Sequence, residues 1–423
     1  MIPMKKINQK SEIGNKKTDE HYISIARGLL DQPTAPLMER LPAKFIHDFV
    51  KSRPALKLSQ DSAGNLLVKY SGPDVGIRPP LVYVAHLDHP GFWVQSTTAN
   101  QAKLVFKGGV HASHARAGSG VQFFEDGKQN PTGTGKILQA ASKGGALTGA
   151  VASIDSGKAV SGGFAMWDFP GFSIENELIE SIEAKGMGVG ESPGRNEDSP
   201  TPIINNGLNI VARCCDDLLG AAAALCALDE LSRVRPKESE VWGLFTRAEE
   251  VGFYGTLEAI RQKTIPFNAS VVSLECSKAF SNAPQGDGVI VRVGDRASIF
   301  DPTLTAALHA TARDFKKKHP LFQFQRKLMD GGSCEATAFC AYGFRASGLA
   351  LPLGNYHNQA FDLKGIPAIG PETVRVDDFL NEVMLLIELS MHPDLLQNSI
   401  IESLGWLEDL TKKARAELAS LRI

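Results

Sequence analysis

The sequence predicts a mixed α/β protein, a sheet of both parallel and antiparallel strands covered by helices, interrupted by a small β-barrel. Three observations carry this. Unbroken apolar runs that read as doubly buried strands, "PLVYVAHLD" (80–88), "EVWGLFTRAEE" (240–250) and "ASVVSLECS" (269–277), are separated by segments of helical period. From 93 to 207 the texture changes to Gly-rich, short alternating segments closed by turn signals. After 208 the strand–helix alternation resumes, which makes the β region an insertion.

Residues 21–31 and 36–52 are predicted helices, since Ile23, Ala26, Leu29 and Leu30 recur at helical spacing. "NLLVKY" and "PLVYVAHLD" follow as strands. In the insertion, "AKLVFKG", "GKILQA", "GALTGAVASI" and "GGFAMWDF" are short strands, and "GESPGRNEDSPTPIINNG" is a loop returning to the first domain. Leu218, Ala221, Leu225, Leu228 and Leu231 then mark a helix over 217–234, stopped by Pro236. "GTLEAIRQ" is a helix between two strands. Residues 376–391 and 393–420 close the chain as helices, the second with Leu396, Ile400, Leu404, Leu407, Ala414 and Leu418 as an amphipathic stripe expected to pack within the molecule.

Composition narrows the function. The 423 residues are 43% hydrophobic and 22% charged, an ordinary globular balance with room for two or three domains. A net charge of −2 and scattered Lys and Arg offer no basic stripe for nucleic acid. No run of about 18 apolar residues occurs, so no membrane span is expected. The leader "MIPMKKINQKSEIGNKKTDE" lacks the apolar segment of a secretory signal, and the six cysteines show no C-x-x-C spacing. Reduced packing cysteines and a cytoplasmic location follow as expectations.

The chemistry-bearing residues stand where buried strands stop. His86 and Asp88 end the first run, Asp216 and Asp217 follow "NIVARCC", Glu249 and Glu250 follow "VWGLFTRA", Glu275 follows "SVVSL", and His357 follows "GLALPLGNY". Each has a plain reading: an N-cap at Asp216–Asp217, a solvated strand end at Glu249–Glu250, a core imidazole at His357. Strand ends on one edge of an open sheet share a crevice, however, and converged carboxylates there need neutralising. Mixed N/O donors suit zinc, with manganese or cobalt as alternatives, and five ligands suit two ions about 3.5–4 Å apart.

"AHLDHPGF", "CDDLLGA", "RAEEVGFYGT", "SLECS", "GDGVIVRVGDR", "DGGSCEATAF" and "LPLGNYH", in that order, resemble the co-catalytic dinuclear metallo-aminopeptidases of the glutamyl aminopeptidase, TET and cellulase-like type (clan MH), over about 60–390. The resemblance implies a phosphorylase/hydrolase-like zinc exopeptidase domain at 1–92 and 208–392, a barrel and dimerisation domain at 93–207, and a helical extension at 393–423. It implies two divalent metals, zinc by donor type with cobalt or manganese as alternatives: His86, Asp216 and Glu275 on one, Asp216, Glu250 and His357 on the other. Glu249 is the implied general base for a metal-bridged hydroxide attacking the N-terminal peptide bond. Asp88 is implied to accept the second ring N–H of His86, and the Asp216–Asp217 bond to be cis. The implied partners are peptide substrates and copies of the same chain, in a dimer or dodecamer. Glu275 and Glu335 stand where the family usually has Asp, Leu218 replaces a common Arg and His89 a common Glu, so substrate preference does not transfer. A metal-dependent amidohydrolase or deacylase of small N-acyl compounds is the alternative; a catalytically silent metal-binding assembly protein fits less well, because Glu249 would ligate nothing.

Overall fold

The computed structural model describes residues 16–76, 78–176, 207–396, 407–415 and 417. Helices α1 (Lys16–Leu30) and α2 (Arg40–Lys51) open it. The second starts later than its apolar pattern predicts, because Leu37 takes a left-handed φ of 69°, which a helix cannot contain. Strands β1 (Leu56–Gln60), β2 (Leu66–Ser71) and β3 (Leu81–His86) follow, the last buried at every residue.

A separate sheet comes next: β4 (Gly91–Thr97), β5 (Gln101–Lys107), β6 (Gly120–Phe124), β7 (Gly133–Lys143), β8 (Ala146–Ser153), β9 (Ser156–Gly157) and β10 (Phe164–Trp167). Six of these close in the order β6-β10-β4-β5-β8-β7 and back to β6, with β9 added on β7. The expected barrel is there, and it has its own core. Phe92 packs edge-on against Phe106 and Trp167, ring centroids 4.9 and 5.0 Å away. Glycine is needed where β7 meets β8: a Cβ on Gly135 would stand 1.9 Å from the Ser153 carbonyl oxygen.

Strand β11 (Ser173–Asn176) pairs with β12 (Leu208–Ala212). The sequence-predicted loop 190–207 lies, apart from Gly207, outside the described residues. The remaining elements are α3 (Leu218–Val234), β13 (Glu240–Thr246), α4 (Tyr254–Gln262), β14 (Ser270–Lys278), β15 (Val289–Asp295), α5 (Pro302–Lys318), β16 (Phe324–Met329), α6 (Glu335–Ala341), β17 (Arg345–Leu353), the hairpin β18 (Gln359–Phe361) and β19 (Pro367–Ile369), β20 (Glu372–Arg375) and α7 (Val376–Met391).

The central sheet runs β1-β2-β13-β3-β14-β17-β15-β16. Strands β13, β3, β14 and β17 are mutually parallel and the flanking pairings bring in antiparallel strands, so the sheet is mixed as predicted. One face is covered by α3, whose run Ala221–Ala224 is fully buried beside Leu225 and Leu228, with α1 and α7 packed on it. Small side chains let this helix lie close to the strands. The other face carries α4 and α6 over Val82, Val84, Leu244 and Val271. Because four parallel strands end on one edge, whatever follows them meets there.

The C-terminal stripe does not form one helix. Pro393–Leu396 is a 3-10 turn with Leu396 buried, whereas Leu407 and Ala414, in a helical stretch, are exposed rather than packed; Ile400, Leu404 and Leu418 lie outside the described residues.

Candidate metal centre and active site

His86 is the last residue of β3, Glu275 sits within β14, Glu249 and Glu250 follow β13, and His357 follows β17 in a 3-10 turn at φ 55°. Asp216 enters from the end of β12, and its bond to Asp217 is cis. All five strand ends converge. His86, Asp216 and Glu275 each offer a ligand atom within 4.8 Å of the others; Asp216, Glu250 and His357 do the same, so Asp216 belongs to both sets. His86 Nε2 lies 3.6 Å from Asp216 Oδ1 and 3.8 Å from Glu249 Oε2. On the far side His357 Nε2 lies 3.5 Å from Asp216 Oδ2 and 3.1 Å from Glu250 Oε1.

The two rings are oriented by main-chain oxygens. His357 Nδ1 donates to the Gly109 carbonyl at 2.8 Å, fixing Nε2 toward the carboxylates. His86 Nδ1 is 3.1 Å from the Asp88 carbonyl oxygen but 3.6 Å from its carboxylate, so Asp88 holds the ring through its backbone rather than its side chain. The Asp88 carboxylate accepts instead from the N–H groups of Glu249 (2.9 Å) and Glu250 (3.1 Å).

Electrostatics make the cluster untenable as bare anions. Burial pushes the Glu249 carboxyl well above its usual range, with Glu275, Glu250 and Glu335 adding to the rise against His86. Burial likewise brings Glu275 up to about 8 despite His86 and Arg292. Asp216 goes the other way: burial alone would raise it, but its contacts with His357 and His86 outweigh that and lower it. Asp216 Oδ1 is buried without a hydrogen-bond partner. An orphaned carboxylate oxygen between two imidazole nitrogens and three further carboxylates is a donor set that fits divalent cations.

Several further residues shape the site, of which only His89 and Glu335 stand out in the sequence, and then as departures from the family pattern. Glu372, fully buried on β20, accepts N–H groups from Cys215 (2.7 Å) and Asp216 (3.0 Å) on Oε2 and from His357 (2.8 Å) on Oε1. His89 joins the Asp216 carbonyl (2.7 Å) to Asn358 Oδ1 (3.0 Å). Glu335 accepts from the hydroxyls of Thr246 (2.6 Å) and Thr256, behind Glu275. Arg292 lines the cleft together with Lys278, Phe280, Met329 and Tyr356. Only long-range packing brings these to the site; Glu372 sits 15 residues beyond His357, across the β18–β19 hairpin.

Known proteins supply the context. No curated protein matches the chain. Among solved structures it is similar to an aminopeptidase from the archaeon Desulfurococcus kamchatkensis at 16% identity and a TM-score of 0.68, covering 90% of this chain and 98% of that one. A TET aminopeptidase from a marine-sediment thaumarchaeote gives 17%, 0.65, and 90% and 99%. The Pyrococcus horikoshii TET1 peptidase, which can assemble into a tetrahedron or a large octahedral shell, gives 18%, 0.63, and 87% and 99%. These likenesses establish the fold. No helix among the described residues is long and apolar enough to cross a membrane. Residues 173–368, which include Asp216, Glu249, Glu250, Glu275 and His357, match the M42 glutamyl aminopeptidase family.

Proposed function

We propose that the chain is an aminopeptidase working with two divalent cations, one held by His86, Asp216 and Glu275, the other by Asp216, Glu250 and His357. The observation that carries this reading is the sharing of Asp216 between two compact ligand sets, its two oxygens facing opposite imidazoles. Zinc suits the N/O donors best. Cations bound there would polarise an amide carbonyl and acidify water.

The remaining work falls to the chain itself. Glu249 stands outside these two sets, although it also offers an oxygen to a compact group with His86 and Glu250; a group whose burial raises its proton affinity is suited to take a proton from water and pass it to the departing amine. Asp88 holds the turn carrying Glu249 and Glu250 through two N–H bonds, and Glu372 holds the turns of Asp216 and His357. Peptide entry is from the cleft bordered by Phe280, Met329, Gly331, Gly332 and Tyr356.

We assign the discontinuous residues 1–92 and 208–392 to the catalytic unit and 93–207 to a barrel that pairs subunits, giving a homo-oligomer of the kind the TET1 structure describes. All six cysteines are free, consistent with a cytoplasmic protein. The deciding experiment joins metal analysis to a panel of aminoacyl-anilides with free and acylated amines. Two metals per chain and cleavage confined to free amines are expected. Preference for acylated amines would favour a deacylase, and inertness toward both would favour a silent protein.

A further inference from the structure

We propose that Glu39, on the N-terminal helical segment and outside the family match, is a positioning residue for the catalytic turn, clamping Arg247 and Ala248 so that Glu249 faces the metals. The inference rests on the reading of Glu249 as base.

The chain between β13 and α4 must turn sharply enough to bring two successive glutamates onto one edge of the sheet. It does so with Ala248 at φ 54°, a left-handed conformation that a Cβ disfavours and that persists only where neighbours hold it. Two acidic residues do this, with four contacts from two directions. Asp88 takes the N–H groups of Glu249 and Glu250. Glu39 takes the N–H of Ala248 on Oε1 at 3.0 Å and the Arg247 Nε on Oε2 at 2.8 Å. Four consecutive residues are thereby fixed by two buried carboxylates.

Glu39 is itself held to be there. It occupies the N-cap position of α2 at 1% exposure without its side chain capping the helix, and its Oε1 also accepts from the N–H of Leu37 at 2.7 Å, closing the second left-handed turn of this region. Arg247 adds bonds to the carbonyls of Leu37 (3.2 Å) and Ala63 (3.1 Å), tying the turn to the α2 entry and to the β1–β2 turn. Among the described residues Glu39 is therefore the buried carboxylate through which the N-terminal helices grip the base-bearing turn; it ligates nothing in the described metal-capable groups. Main-chain placement of a catalytic group to within about 0.5 Å is what such a support provides.

The test uses the full chain loaded with zinc, comparing wild type, Glu39→Gln, Glu39→Ala and Glu249→Gln. Readouts are kcat and KM on the best free-amine anilide, bound metal by mass spectrometry, thermal midpoint, and hydrogen exchange at residues 247–250. Gln keeps one oxygen for Ala248 but turns an amide toward Arg247; Ala removes both contacts. Expected is a kcat loss of about 10-fold for Gln and about 100-fold for Ala, with KM within about 2-fold, both metals retained and faster exchange confined to 247–250. Full kcat in folded Glu39→Ala alongside a dead Glu249→Gln overturns the role of Glu39. Loss of kcat in Glu39→Gln that tracks lost metal or general unfolding overturns it as well. An active Glu249→Gln instead overturns the reading of the base on which the inference rests.

Discussion

Replacing Glu372 by Gln gives the sharpest test of how the fold holds the two ligand turns together. The carboxylate accepts three main-chain N–H groups, two on Oε2 and one on Oε1, at 2.7–3.0 Å. Gln can point its oxygen at only one side. The cheaper choice keeps Cys215 and Asp216 and sets the amide against the His357 N–H, leaving that buried donor unpartnered at about 1–3 kcal/mol. The two surviving bonds lose their charge assistance, roughly half their strength. Against this stands the cost of burying the carboxylate, which raises its pKa from 4.5 to about 6. The net loss is then about 2–3 kcal/mol near neutral pH. A carboxyl whose folded pKa is raised contributes most below its unfolded pKa and loses that contribution as pH rises through the folded value. The wild type's advantage over Gln, which does not titrate, therefore widens by up to about 2 kcal/mol between pH 7.5 and 4.5. Urea unfolding of metal-free protein at both pH values measures this, and competitive titration with zinc should show affinity down about 10- to 100-fold. Equal unfolding midpoints and unchanged zinc affinity would show that the turns of Asp216 and His357 hold themselves, and that Glu372 positions neither.

The other predictions concern the metals, the base and the barrel. Exhaustive chelation should abolish peptidase activity and zinc, cobalt or manganese should restore it; rigorously metal-free protein that turns over at full rate refutes the metal reading. Glu249→Gln should retain both metals while kcat falls by about 100-fold or more; a metal lost in that variant would reverse the parts of Glu249 and Glu250. Asp216→Asn should weaken both metals together, since Asp216 belongs to both ligand sets; loss of only one would end its bridging role. Replacing residues 93–207 by a Gly/Ser linker should lower the oligomeric mass in solution, and an unchanged mass would assign assembly to another surface.

The periodic features were legible because burial writes them into sequence. β3, β14 and β17 have almost no exposed residues, so their apolar runs show through, and the barrel shows as short alternation because strands such as β5 and β8 have one wet face. The polar residues at the ends of those strands were legible as a set for the same reason: a carboxylate beside a buried strand is anomalous, and several anomalies on parallel strands point to one edge. The mixed sheet, the barrel and the convergence of His86, Asp216, Glu249, Glu250, Glu275 and His357 in one cleft follow that logic. What was not legible rests on pairings that no local pattern records. The left-handed Leu37 delays α2 by a few residues, and of the expected C-terminal stripe Leu396 is buried whereas Leu407 is exposed.

The supports of the site are hidden for a related reason. Glu39, Glu372 and the Asp88 side chain all act on main-chain N–H groups, and an N–H looks the same in every residue. A ligand is recognisable by its type and place; a residue that bonds backbone is recognisable only once the turn it holds is known. The Asp88 side chain illustrates the difference. Two residues from His86, it reads as that ring's partner, yet the geometry gives the ring the Asp88 carbonyl and leaves the carboxylate free for Glu249 and Glu250. With Glu39 on Ala248, Asp88 on the next two residues and Glu372 on Cys215, Asp216 and His357, three buried carboxylates fix most of the turns that carry the proposed chemistry without spending a ligand of their own. Acidic residues around this cleft thus include ones placed to hold the proposed cations and ones that face the backbone, and a substitution in the second group should loosen metal or base placement while leaving the ligand set intact.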